Sequence, residues 1–138
     1  MSEAVAPAVP GADEVVRWFG RWPSFHDAEI LQIDLQRNGR SSVRLHAFRM
    51  TKAVDASGHF VLDLHAVVTF WLEGVSDLEL ADFSGLNVIF GLALEPIPTG
   101  FRLALSPCFG IAGYIEAAKV SISSSQESRR RERESAAA

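Results

Sequence analysis

Cysteine is nearly absent from this chain: Cys108 stands alone, so no intramolecular disulfide can form, and neither a CxxC pair nor a Cys/His zinc spacing occurs. Within "SPCFG" it reads as a small buried hydrophobe. Long apolar runs are missing too. No segment approaches the roughly 18 apolar residues that cross a bilayer, and "MSEAVAPAVPG" has no cationic stretch leading into an apolar one. A soluble cytoplasmic protein, with no membrane association, is therefore expected. Basic charge is scarce in the body, where residues 1–125 carry 14 acidic and 9 basic side chains, against 3 and 4 in residues 126–138. Such a body has no cationic face to displace counterions from a phosphate backbone, which excludes nucleic acid as the expected ligand. G-x-S-x-G, P-loop, H-E-x-x-H and dinucleotide fingerprints are all missing, so no cofactor, metal or catalytic residue is assigned.

What is plentiful is apolar material, 48% of 138 residues against 22% charged, enough for one domain with a sizeable core. Residues 1–11 read as a flexible N-terminus. The tail 124–138, "SSQESRRRERESAAA", is low in hydrophobics and mixed in charge, so it is expected to be disordered and its arginines solvated. Between them, 12–123 is expected to form a single α+β domain. Val15, Trp18, Phe19 and Trp22 fall at i, i+3, i+4 and i+7, with Asp13 and Glu14 in the first turn and Gly20 and Pro23 as stops. That predicts a short amphipathic helix. From residue 29 the period changes to two, in "ILQIDLQ", "SVRLHAF", "FVLDLHAVVTFWL", "FRLALS" and "YIEAAKVSI". The expected architecture is the helix packed on a twisted, mainly antiparallel β meander, with a turn at 82–87 leading into a strand to about residue 95.

Turn chemistry fixes a register, because a slip of one residue moves every apolar side chain to the wrong face. A two-residue loop at Asn38-Gly39 would align Leu31, Ile33 and Leu35 with Arg44 and His46; a three-residue loop, 37–39, aligns them with Leu45 and Val43. The second is expected, with Gly39 left-handed. A four-residue loop at 55–58 then sets Leu45 opposite Val68 and Ala47 opposite Ala66.

His26-Asp27 is the first dipeptide to suggest chemistry. A His-Asp metallophosphohydrolase needs a histidine upstream, and none precedes His26. Carrying the first hairpin backward instead puts Asp27 opposite Arg49, and Ser24 is placed to cap the turn after Pro23. The expected role is structural, at the start of a strand. His46, Asp63 and His65 fall on one sheet face in this register, where two imidazoles and a carboxylate suit a divalent metal. They define the alternative reading, a small metal-dependent hydrolase. A structural β domain of unrelated function is the third.

"GRWPSFHDAEI" (20–30), "GHFVLDLHAVVTFWLEGV" (58–75) and "DFSGLNVIFGL" (82–92) together resemble, in content and order, the bacterial immunity protein 50 family, over about residues 15–123. Trp22, Pro23, Phe25, His26, Asp27, Glu29, Gly58 and Asn87 carry the match, while Ser84-Gly85-Leu86 departs from an amide-rich lead into Asn87. The resemblance implies a small β-rich cytoplasmic antidote of a polymorphic toxin system, with a protein toxin as its partner, neutralised by binding rather than by a reaction. "LEGVSDLELADF" (72–83) supplies Glu73, Asp77, Glu79 and Asp82 without a basic residue, an acidic ridge suited to steering association with a basic partner. Phe48 and Met50 are the expected apolar anchors beside it.

Overall fold

The computed structural model describes residues 6–58 and 60–125, and for residues 50–52 and 60–63 the backbone alone. Helix α1 (Ala12–Phe19) precedes six strands: β1 (Glu29–Asp34), β2 (Arg40–Val54), β3 (Phe60–Ala81), β4 (Val88–Ile97), β5 (Gly100–Phe109) and β6 (Ala112–Ser125). One short helix on a mostly antiparallel sheet is thus what the periodicity predicts. The sheet, however, is not an open meander. Its strands close into a barrel in the order β1-β2-β3-β6-β5-β4. Two three-stranded meanders meet along β3 and β6 and again along β1 and β4. The second seam is short: Glu29 pairs with Val88, Asp27 N–H donates to Ile89 O (2.9 Å), Ile89 N–H to Ala28 O (3.0 Å) and Ile30 N–H to Asn87 O (2.8 Å).

Register follows the turn argument over most of three strands, with Ile33 opposite Val43, Leu45 opposite Val68 and Ala47 opposite Ala66. It fails at Leu31, because β1 carries a bulge between Ile30 and Gln32. Ile30 therefore points inward at 2% exposure while Leu31 stands 42% exposed, and Leu35, one residue past the end of β1, is 47% exposed. Gly39 is not left-handed either. The hairpin is closed instead by buried Ser41, whose hydroxyl accepts the Gln36 N–H at 2.8 Å. Gly58 does take the left-handed turn position, at φ 85°.

The barrel interior is lined by Val43 and Leu45 of β2, Val68, Phe70 and Leu72 of β3, Leu103 of β5 and Ile115 of β6, all at most 1% exposed. Each such aliphatic or aromatic side chain contributes about 1.5–3 kcal/mol relative to exposure. Helix α1 packs Ala12, Val15 and Phe19 against β6 and β3. It ends one turn earlier than the i+7 spacing implies, since Gly20 at φ 84° caps it by donating to Val16 O. Trp22 leaves the helix and joins Phe25 and Phe70 in an edge-to-face trio with centroids 5.5–6.5 Å apart. Trp18 stays on the helix, its Nε1 donating to Leu64 O at 2.8 Å.

Packing extends beyond 12–123 at both ends. Val9 is buried, Pro10 O accepts the Ile122 N–H, and β6 runs to Ser125. Residues 1–5 and 126–138 of the predicted flexible termini lie outside the described residues. Cys108 is exposed rather than buried. The β5–β6 ladder ends at Leu105 opposite Gly113, so residues 106–109 of β5 are paired only with β4 and extend past the core. Among the described residues no helix is long and apolar enough to cross a membrane.

Candidate functional site

The segment after α1 is built around two left-handed residues that are not glycine, Phe25 at φ 60° and Asp27 at φ 65°. Such conformations cost about 1–3 kcal/mol each and persist only where the surroundings impose them. Here the Phe25 ring is locked in the aromatic trio, its carbonyl accepts the Ala28 N–H (3.1 Å), and Asp27 N–H bonds to β4. These turns carry the chain off the β1–β2 ladder, which starts only at Glu29 opposite His46. The predicted Asp27–Arg49 pair is therefore not formed: the backbone register sets Arg49 of β2 opposite residue 63 of β3, and the Asp27 carboxylate lies 3.5 Å from His26 Nε2. Ser24 does brace the turn, its hydroxyl accepting the His26 N–H at 3.3 Å, without a reciprocal bond from Asp27. His26 itself turns outward. Its Nδ1 donates to Phe90 O at 3.0 Å, and its ring stands edge-on to exposed Phe90 at 4.9 Å.

Beside this turn is a pocket of about 180 Å³. Arg21, Ser24, His26 and Arg49 form its polar wall, and Phe19, Phe25 and Phe48 its apolar one. Phe48 was expected as an exposed anchor; it is half-buried and shared between this pocket and the next feature, a histidine pair. His46 Nε2 and His65 Nδ1 meet at 3.0 Å, with rings stacked 11° from parallel, and Phe48 lies 5.8 and 6.0 Å from the two. One ring donates to the other, so the two nitrogens satisfy each other. An extra β3 residue lies between the Ala47 and Arg49 pairings, with Leu64 left-handed at φ 54°. The side chain of Asp63, the third residue of the expected trio, lies outside the described residues, as does that of Met50. Among the described residues no three His, Cys, Asp or Glu side chains are grouped to hold a metal.

The acidic segment lies toward the other end of β3. Seven residues separate Ala66, opposite Ala47, from Glu73, roughly 23 Å at strand rise. Phe48 and the ridge are thus not one patch. The charge of Glu73 is also offset on the sheet, where its cross-strand neighbours are Arg40 and Lys119. Asp82, at φ 62°, borders a shallow apolar groove lined by Leu35, Leu80 and Phe83. Asp77 and Glu79 remain, exposed on β3, and the fold adds three residues that sequence reasoning missed: Tyr114, Glu116 and Arg102. Tyr114 Oη lies 3.0 Å from Asp77 Oδ2 and 3.1 Å from Glu79 Oε2. Its phenol is pushed up to about 12, first by the hydrogen bond to Asp77, then by partial loss of water and the bond to Glu79. Arg102 Nε donates to Glu116 Oε2 at 2.7 Å, and its guanidinium sits 4.8 Å over the Tyr114 ring. Glu116 raises the Arg102 pKa, by this hydrogen bond and then by its charge. Alternation in "FRLAL" and "YIEAA" was enough to put Arg102, Tyr114 and Glu116 outward. Only the β3–β6–β5 adjacency brings them to Asp77 and Glu79.

The remaining residues of the resemblance divide in two. Trp22 and Phe25 are core. Asn87, 3% exposed, accepts from Ser84 N–H (2.9 Å) and Ile111 N–H (3.1 Å) and donates to Ser84 O (2.7 Å), tying the 84–87 turn to the start of β6. Pro23, His26 and Asp27 are at the surface, and Glu29 sits at the barrel seam. No family model, curated protein or solved structure matches the chain.

Proposed function

We propose that this chain is a binding protein that neutralises a cognate toxin in the cytoplasm of the cell producing it. The observation that supports this most is the face made by Asp77 and Glu79 of β3, Tyr114 and Glu116 of β6 and Arg102 of β5. Three carboxylates and one arginine are held by mutual hydrogen bonds on a rigid sheet, so little side-chain freedom is lost on meeting a partner. Net negative potential there steers a basic partner and disfavours an acidic one. The resemblance carried by residues 20–30, 58–75 and 82–92 supplies the class of partner, a toxin encoded beside its antidote. Co-expression tests the proposal: cells carrying the toxin gene adjacent to this one should survive only when the chain is intact. Killing that persists at full expression of the folded chain would reject it.

A further inference from the structure

The pocket at the 20–28 turn is electrostatically unlike the rest of the surface. In a body with more acid than base, its polar wall holds two guanidinium groups, an imidazole and a hydroxyl, and no carboxylate is among its lining residues. Arg21 has no hydrogen bond or ion pair within the described structure. Arg49 reaches the same space while engaging other groups of its own. Ser24 Oγ accepts the His26 N–H, which leaves its own proton to donate. The His26 ring, fixed by Phe90 O, shapes the rim, with Asp27 touching it from outside the lining. The strained backbone at Phe25 and Asp27 holds Ser24 and His26 toward one space, as strain does where a site must be preorganised.

Arginine forks match the paired oxygens of carboxylate or phosphate. Size narrows the class. At about 180 Å³ the pocket is below the roughly 300–1,000 Å³ of sites that enclose whole small molecules, so it fits the end of a side chain and not a nucleotide. Phe19, Phe25 and Phe48 would lie against a methylene stem. We propose that this pocket is an anion site that receives a carboxylate on a short apolar stem, the acidic side chain or chain terminus of a bound polypeptide. Arg21 grips the carboxylate, Ser24 donates to it, and Arg49 supplies positive potential. The inference stands apart from the toxin reading, because the pocket lies toward the opposite end of β3 from Asp77 and Glu79.

The test is a two-dimensional NMR titration of the full chain with sodium glutarate, and in parallel with inorganic phosphate, at constant ionic strength. Glutarate should give saturable shifts confined to residues 19–26 and 48–49, and it should bind more tightly than phosphate. Arg21→Gln, a change at an exposed side chain, should weaken glutarate about tenfold or more, the scale of a charge-assisted hydrogen bond, with the remaining spectrum unchanged. Ser24→Ala should weaken it by a smaller factor. Non-saturating shifts, shifts spread over the surface, preference for phosphate, or full affinity in Arg21→Gln would each overturn the assignment.

Discussion

Replacing Asn87 by Ala should destabilise the protein more than any other single polar substitution in the 82–92 segment. The side chain is 3% exposed and makes three hydrogen bonds, two of them to Ser84, which stands in solvent. Water can replace those two, so their loss costs about 0.5–1.5 kcal/mol each at most. The third is different: Ile111 is fully buried, and its N–H would be left without a partner, at about 1–3 kcal/mol. The sum is about 2–6 kcal/mol, or roughly 7–20 °C in Tm for a chain of this size. Gly110 leaves no room for a compensating side chain, since a Cβ there would lie 2.7 Å from Asn87 Oδ1 and 2.6 Å from Leu86 O. Urea unfolding followed by tryptophan fluorescence measures the difference. A loss under about 1 kcal/mol would refute the reasoning, for it would mean that water reaches the Ile111 amide and that Asn87 does not hold the two turns together.

Three further outcomes are expected. Asp27→Asn should change stability by less than about 1 kcal/mol, because its carboxylate only approaches the exposed His26 ring, at 3.5 Å, whereas Asp27→Ala at φ 65° should cost about 1–2 kcal/mol more; equal urea midpoints for the two would contradict this. Tyr114 should ionise near 12 by ultraviolet absorbance, and Asp77→Asn should lower that value toward 10. Because the folded phenol is raised, its contribution to stability is fully present below pH 10 and declines as pH rises toward 12; an unchanged titration in Asp77→Asn would remove Asp77 as the main cause. Elemental analysis of the purified protein should find no stoichiometric zinc or manganese, and one equivalent lost on mutating His46 and His65 would instead support the hydrolase reading.

Local rules carried the reading of this sequence a long way and then stopped at particular residues. Ile33–Val43, Leu45–Val68 and Ala47–Ala66 were legible because alternation and loop length constrain hairpins strongly. The register survived even though Ser41, not a left-handed Gly39, closes the first hairpin. The bulge at Leu31 was illegible, since Ile30 and Leu31 are both apolar and only the seam with β4 decides which turns inward. Closure itself has no local signature: β1 meets β4 and β3 meets β6 across long separations in sequence. That is why the candidate sites were only half visible. Asp77 and Glu79 could be read as an acidic run, but not their bonding to Tyr114. Arg21 and Arg49 are 28 positions apart in the sequence and meet only because the turn at 25–27 folds the chain back beside β2.

The proposed function is tested most directly by the association rate between this chain and the product of an adjacent toxin gene, measured by stopped flow across a range of salt. Asp77→Lys with Glu79→Lys should slow association by about tenfold or more at low salt, and the wild-type rate should fall steeply as the Debye length shrinks from about 30 Å at 0.01 M to about 8 Å at 0.15 M. A rate indifferent to both salt and charge reversal, or no complex at all, would contradict the assignment of that face to a toxin.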